Sequence, residues 1–485
     1  MLFPTLDFAL FFIAVFVFGW ALRGHAGPRK LVLLAASYFF YGFWDWRFLA
    51  LLAGSSAVNY AAGALLARTG GDRARRRLVA AALVANLGTL GFFKYYGFFI
   101  DSLADLLLSV GFQRDMPFLE IILPVGISFF TFQGISYVVD VYRGHMKPVA
   151  SPVDLFLYIS FFPQLVAGPI VRGSDFLPQL AKPPQLARTA AVYGFLLILA
   201  GMLKKTVVAH YIAVDLVDPA FEDPAAFGSA DLVAAHYAYA IQVYCDFSGY
   251  SDIAIGTAAL LGFRFKKNFD RPFSATSMQQ LWQRWHISLS TWLRDYLYRA
   301  LRGRRREAGW RMHRNVFLTM LLGGLWHGAN WTFVIWGSIL GAALVVERVV
   351  KGRWRAWRAA LAGAPAEGES RTGAVLGAAA GWFVTFHIFT LAAVFFRSPD
   401  IDVAANYFAQ MFSGAGGIAL FTPFLLLLTA GSVAVQFLPG NAIERTAERL
   451  HSLSALSLGL LLGFGLLAIE FAGPEGVAPF VYFQF

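Results

Sequence analysis

The sequence predicts an all-α polytopic membrane protein, a bundle of about 10–12 membrane segments with some helices broken or re-entrant. Three observations carry this. Hydrophobic residues make up 58% of the 485 residues and charged residues only 14%. Several stretches approach or exceed the roughly 20 apolar residues that a spanning helix needs. The net charge of +11 falls in short loops between the apolar stretches, as positive-inside topology requires. In a soluble chain that charge would raise nucleic acid as a partner. Here no aromatic-interleaved basic patch accompanies it, so membrane lipid is expected and nucleic acid is not.

The apolar segments are 7–22, 31–46, 48–67, 79–108, 118–140, 153–170, 190–212, 228–262, 315–347, 373–396, 417–438 and 454–472. Basic Arg23, Arg29 and Lys30 follow the first segment rather than precede it. That order argues for a retained helix with the N-terminus outside, not a cleavable signal. Pro124-Val125-Gly126 and Phe162-Pro163-Gln164 break their segments, because proline removes a backbone donor and glycine permits a turn. Basic loops at 23–30, 68–78, 143–147, 264–271, 302–314 and 347–358 are assigned to the cytoplasm. Acidic loops at 101–115 and 215–231 are assigned to the other side. Segment 315–347 then enters and leaves from the cytoplasm, as a hairpin or broken pair. Onward counting places the tail from Ala472 to Phe485 outside. Residues 359–372, rich in Ala, Gly and Glu, read as a flexible cytoplasmic linker within a single domain spanning 1–485. The one cysteine, Cys245, sits between Tyr244 and Asp246 and reads as a packed small residue. It excludes an internal disulfide.

His327 is the most informative residue. The run from Val316 to Val346 contains no Asp, Glu, Lys or Arg, and an ionisable side chain at membrane depth is costly enough to suggest function. A core histidine bonded to a backbone carbonyl is the competing reading. Gly323, Gly324 and Gly328 favour function, since they permit close backbone approach and local unwinding around a slot. Asn330 adds a further polar group.

A second segment, 281–296, reads as one amphipathic helix. Trp282, Trp285, Leu289, Trp292 and Tyr296 form a stripe, and His286, Ser290 and Arg294, spaced by four, line an adjacent polar face. An interfacial helix with a tryptophan belt has the same pattern. Asp246 and Asp252, six residues apart, are potential ligands or ion-pair partners for Arg264, Arg271, Arg284 or Arg294. No metal site is expected, because no closely spaced His/Cys set or H-E-x-x-H pattern exists. The tail Pro479-Phe480-Val481-Tyr482-Phe483-Gln484-Phe485 is aromatic enough to be buried, bound or anchored in an interfacial belt.

Taken together, the blocks Pro124–Gln133, Phe161–Ile170, Asp246–Gly256, Trp282–Tyr296 and Gly323–Trp331 resemble the membrane-bound O-acyltransferases, and within them the bacterial polysaccharide-acetylation branch. The resemblance extends over most of the chain. It departs after Tyr298, where relatives commonly continue Ile-Pro-Leu-Gly-Gly and this chain has Arg299-Ala300-Leu301-Arg302-Gly303. It implies a bundle around a central tunnel with two functional polar positions, here His327 and His286. The tail matches an F-x-Y-x-x-F pattern at Phe480, Tyr482 and Phe485, in which the tyrosine is proposed to carry the acyl group.

The implied activity is transfer of acetyl from a cytoplasmic thioester, acetyl-CoA or an acyl-carrier thioester, across the inner membrane. The acceptor would be an extracytoplasmic, alginate-like exopolysaccharide. No bound cofactor is implied. His327 would be the general base, His286 would stabilise the developing oxyanion or orient the acyl carbonyl, and Tyr482 would be the relay. Trp326, Asn330, Arg284, Trp285, Ser290, Arg294, Asp295, Asp246, Phe480 and Phe485 would be substrate contacts. Arg302–Arg306, Lys266 and Lys267 would suit donor phosphates. The implied partners are an extracytoplasmic SGNH-hydrolase-like O-acetyltransferase and a polysaccharide synthase and export complex. D-alanyl, peptidoglycan or cellulose acyl transfer by the same mechanism is an alternative, and a proton-coupled transporter using the two histidines as a relay is another.

Overall fold

A computed structural model describes residues 1, 3–112, 119, 121–303, 309–362 and 371–474. The described residues are mostly helical, joined by turns and irregular segments, without a strand. Six helical stretches are long and apolar enough to cross a membrane: Ala26–Arg68, Asp72–Ser109, Arg188–Glu222, Trp331–Arg353, Thr372–Arg397 and Ala455–Ala472. Leu6–Ala21 and Pro423–Val435 are shorter apolar helices. Large apolar side chains point outward on these helices, among them Phe464 at 72% exposure and Phe471 at 91%. A soluble surface rarely tolerates such patches, whereas lipid favours them. The protein is a multi-pass membrane protein.

The chain forms two compact units. The first comprises Met1–Met202, Tyr250–Lys266 and Ile443–Leu467. Its helix Leu6–Ala21 is capped by the Thr5 hydroxyl, which accepts from the Phe8 N–H at 3.3 Å. Phe3, Phe8, Phe40 and Phe162 build an aromatic core, with ring centroids of Phe8 and Phe40 6.1 Å apart and of Phe40 and Phe162 5.6 Å apart. Arg29 is buried and donates to the carbonyls of Gly19 at 3.2 Å and Leu261 at 2.7 Å. It therefore ties helices together rather than marking a solvated loop.

The two expected breaks are present. Helix Ile127–Arg143 begins only after Gly126, at φ +75°. A Cβ there would lie 2.6 Å from the Leu165 carbonyl oxygen, so both the backbone conformation and the contact require glycine. The second break splits 153–170 into helices Pro152–Ser160 and Phe162–Leu165.

The second unit comprises Leu203–Gly249, Lys267–Ala442 and Ala468–Phe485. Its centre is a hairpin of Trp310–His327 and Trp331–Ala362, the broken pair expected for 315–347. The arms meet where Gly324 faces Gly337: a Cβ on Gly324 would lie 2.4 Å from the Phe333 carbonyl oxygen and 2.9 Å from the Gly337 Cα. Backbone atoms cannot move aside as a flexible side chain can. Gly324→Ala should therefore force the arms apart, at a cost of about 1–3 kcal/mol. The expected result is a lowered thermal transition in detergent. Gly352→Ala, with nothing within 4 Å of the added Cβ, should leave it unchanged.

Three stretches in this unit have π-helical turns, Leu203–Ala209, Ala213–Val217 and Leu293–Tyr298, and such turns concentrate at functional sites. The acidic loop 215–231 does more than set topology. Asp231 is fully buried and its carboxylate accepts from the N–H groups of Ala419, Leu420 and Phe421 at 2.8, 3.0 and 3.1 Å. Of the linker expected at 359–372, residues up to Ala362 and from Arg371 are helical. The remainder of that linker, and the tail bearing Phe480, Tyr482 and Phe485, lie outside the described residues.

Candidate active site

His327 ends the first arm of the hairpin, where Gly328 turns to extended backbone at φ −153°. A Cβ on Gly328 would lie 2.0 Å from the Phe333 ring, so glycine lets the turn close. Asn330 caps the second arm. Its Oδ1 accepts from the Thr332 N–H at 3.0 Å and its Nδ2 donates to the Pro399 carbonyl at 2.7 Å, which accounts for it structurally.

The His327 imidazole is buried and meets three aromatic rings edge-on: Trp326 at 4.9 Å, Trp336 at 5.1 Å and Phe396 at 5.4 Å between centroids. Two cavities reach it. The larger, about 270 Å³, runs past Trp282, Leu289, Ser290, Arg294, Met320 and Arg348 to His327 and Trp336. The smaller, about 20 Å³, is walled by Tyr239, Trp285, Phe389 and Phe396, and again by His327 and Trp336. His327 thus forms part of both walls. An apolar cleft with a few convergent polar groups is the usual form of a small-molecule site.

His286 is placed differently from expectation. The single helix expected over 281–296 is interrupted. Met278–Arg284 ends, Trp285 is extended at φ −100° and His286 is left-handed at φ 42°, before Ile287–Trp292 resumes. The spacing of four between His286, Ser290 and Arg294 therefore does not describe one helix face. Side-chain periodicity carried no signal for this turn, because the aromatic stripe continues across it. A non-glycine residue held left-handed stores about 1–3 kcal/mol. The imidazole is fully buried, with rings of Phe247 at 4.6 Å, Trp326 at 6.2 Å and Phe269 at 6.3 Å. Its Nδ1 lies 3.2 Å from Asn268 Oδ1, and its Nε2 has no hydrogen-bond partner among the described residues. An unsatisfied buried acceptor costs about 1–3 kcal/mol. Burial pushes the imidazole down to about 3, so the ring is neutral. The same Trp326 indole neighbours both histidines.

The other expected contacts divide. Ser290 and Arg294 line the larger cavity, while Arg294 also pairs with Asp295 at 2.9 Å. Trp285 lines the smaller cavity. Arg284 instead donates to Ser274 Oγ at 2.6 Å. Asp246 forms an ion pair with Lys205, a cation not among the four arginines offered as its partners. Both partners are buried, and sequence reading passed over Lys205 because it lies inside the apolar segment 190–212. Lys266 pairs with Asp175 at 2.7 Å and Lys267 donates to the Gly440 carbonyl at 2.9 Å, so each has a protein partner. Arg304, Arg305 and Arg306 lie outside the described residues. Trp336, Arg348, Phe396 and Asn268 were not singled out by sequence. A helical projection from Trp331 places Trp336 and Arg348 on one arm, but only the fold joins them to a cavity.

A family model described as MBOAT, membrane-bound O-acyltransferase family, matches residues 145–360. A "Probable alginate O-acetylase" of Pseudomonas aeruginosa is 40% identical over 418 residues, covering 85% of this chain and 75% of the relative. The chain belongs to the membrane-bound O-acyltransferase family. A second protein of that printed name, from Pseudomonas putida, is 35% identical over 513 residues and covers 100% of both chains. A peptidoglycan O-acetyltransferase of Helicobacter pylori is 34% identical over 450 residues, covering 87% of this chain and 81% of the relative. This acyltransferase carries both His286 and His327 inside the matched region.

Proposed function

We propose that this acyltransferase takes an acetyl group from a cytoplasmic thioester, acetyl-CoA above all, and relays it across the inner membrane for O-acetylation of an extracytoplasmic, alginate-like polysaccharide. The observation that carries the reading is His327 in the shared wall of two cavities. The larger cavity extends from His327 to Arg348, which belongs to the basic stretch 347–358 assigned to the cytoplasm, a continuation of the helix Trp331–Ala362. A thioester entering there brings its carbonyl to the imidazole and its anionic phosphates toward Arg348 and Arg294. The printed names of the relatives from Pseudomonas and Helicobacter support a polysaccharide acceptor.

The transfer step is the following. The acceptor hydroxyl oxygen attacks the thioester carbonyl carbon while the His327 imidazole takes its proton. The new C–O bond forms, the C–S bond breaks, and the imidazolium returns the proton to the leaving thiolate. If the hydroxyl is that of Tyr482, complete proton transfer before attack is uphill. Reference values of about 10 and about 6.5 leave a gap of about 3.5 units, roughly 5 kcal/mol. Proton transfer is therefore concerted with attack. The acyl-tyrosine then passes acetyl to a separate extracytoplasmic transferase, an SGNH-hydrolase-like enzyme working beside the polysaccharide synthase and export complex. No G-x-S-x-G elbow occurs in the sequence for that second step.

The donor assignment is tested at Arg348. Removing one charge-assisted contact to a phosphate costs about 1.4 kcal/mol, or about tenfold in affinity. Arg348→Gln should raise KM for acetyl-CoA about tenfold and leave KM unchanged for an acetyl thioester without phosphates. An unchanged KM for acetyl-CoA in the variant would remove Arg348 from donor binding.

A further inference from the structure

Asn268 is the least conspicuous residue in this site and the one that holds His286 in place. It is 1% exposed. Its backbone carbonyl accepts from the Ile287 N–H at 2.8 Å. Its side-chain Oδ1 accepts from the Ser288 N–H at 3.2 Å and the Ser288 hydroxyl at 2.8 Å, and lies 3.2 Å from His286 Nδ1. One residue therefore clasps all three residues of the turn, Ile287 through its backbone carbonyl and His286 and Ser288 through its side chain.

The atom facing the turn is an oxygen by chemistry, not by choice of flip. A backbone N–H only donates, so the amide atom 3.2 Å from the Ser288 nitrogen must accept. An acceptor oxygen opposite His286 Nδ1 then requires that Nδ1 carry a hydrogen. In a neutral ring the other nitrogen, Nε2, holds the lone pair. The ring is neutral because it is fully buried among Phe247, Phe269 and Trp326, and its polar neighbours Asn268 and Ser288 carry no charge. Arg284, on the preceding helix, is turned to Ser274 Oγ. His327 shares the Trp326 indole as a ring neighbour. A lone pair cannot donate to an oxyanion, which reverses the role expected for His286 from sequence.

We propose that Asn268 is a positioning residue that locks His286 in the Nδ1–H tautomer, so that Nε2 accepts a hydrogen bond from an N–H or O–H donor of the bound substrates. This rests on the acyl-transfer reading above. Two sources supply such a hydrogen: an amide N–H in the arm of a CoA-type thioester, or an N–H or O–H of the acceptor other than the hydroxyl that is acylated, whose own hydrogen goes to His327. In either case His286 orients a substrate while His327 moves the proton. The fully buried Nε2 with no partner among the described residues and the left-handed backbone at the same residue are costs that a substrate contact at this point would explain.

The test uses full-length protein in detergent, with histidine labelled with ¹⁵N. The His286 signal is assigned by its loss in His286→Gln. Wild type should show a protonated Nδ1 and a bare Nε2. Asn268→Leu should lose that preference and lower transfer on the order of 10²-fold, the size of a misplacement effect. Asn268→Asp keeps an oxygen in place and guards against a folding failure in the leucine variant. It should retain the Nδ1–H tautomer. Its carboxylate favours the imidazolium, so activity should begin to fall at higher pH on the acid side, by about one unit.

Acetyl-CoA and an acetyl thioester lacking amide N–H groups separate the two sources. A raised KM for acetyl-CoA alone assigns the hydrogen to the donor arm, and a lowered kcat with both assigns it to the acceptor. A wild-type Nε2–H signal would overturn the proposal. So would an Asn268→Leu protein with wild-type tautomer, KM and kcat. Absence of any acyl transfer from labelled acetyl-CoA by the wild-type protein would instead sink the acyl-transfer reading, and the tautomer measurement would stand by itself.

Discussion

Replacing His327 with alanine is expected to lower acyl transfer about 10²–10⁴-fold, the range over which a positioned acid–base group contributes. The imidazole is the polar group common to both cavities, and the rings that meet it, Trp326, Trp336 and Phe396, offer no basic group in its stead. Alanine is smaller than histidine and leaves the Gly324–Gly337 contact between the hairpin arms intact, so membrane levels of the protein should be unchanged. Polymer acetyl content, measured against the amount of protein in the membrane, checks this. Full acetylation in the variant would remove His327 from the mechanism.

The second large effect is expected at Tyr482. Tyr482→Phe keeps the aromatic ring of the F-x-Y-x-x-F tail and removes its hydroxyl. If the tyrosine is the relay, polymer acetylation should fall to background, because no nucleophile is left to carry the acyl group outward. If the ring only anchors the tail, acetylation should be unchanged. Assaying acetyl content in cells carrying the variant decides between relay and anchor, since the two readings differ by the whole activity.

Much of the architecture was legible in the sequence because the signals were local. An uncharged run of 31 residues around His327, counted from Val316 to Val346, announces membrane depth. Glycines at 323, 324 and 328 announce a close approach, and the fold supplies it at Gly324 and Gly328. The breaks at Gly126 and Phe162 follow from proline and glycine chemistry.

What was hidden depended on residues distant in sequence. Periodicity ran the aromatic stripe straight through Trp285 and His286, because the left-handed turn keeps apolar residues buried on both sides. That turn is fixed by Asn268, 18 residues upstream, in a stretch whose charges drew attention to lipid and phosphate instead. Asp246 was read as a ligand or as an ion-pair partner for arginines, whereas it pairs with Lys205, a cation inside an apolar segment where composition gives no cue. Arg348 read as a topology marker, and only the hairpin brings it into the cavity that reaches His327. Long-range pairing decides each of these cases, and no window of sequence contains both partners.

The most direct measurement incubates the purified protein with acetyl-CoA labelled in its acetyl group, then quenches and denatures it. Covalent transfer predicts label that stays with the wild-type chain through denaturation and is missing from both His327→Ala and Tyr482→Phe. Movement of protons or solute across proteoliposomes, with no protein-bound label from the same preparation, would contradict the account and make the chain a transporter.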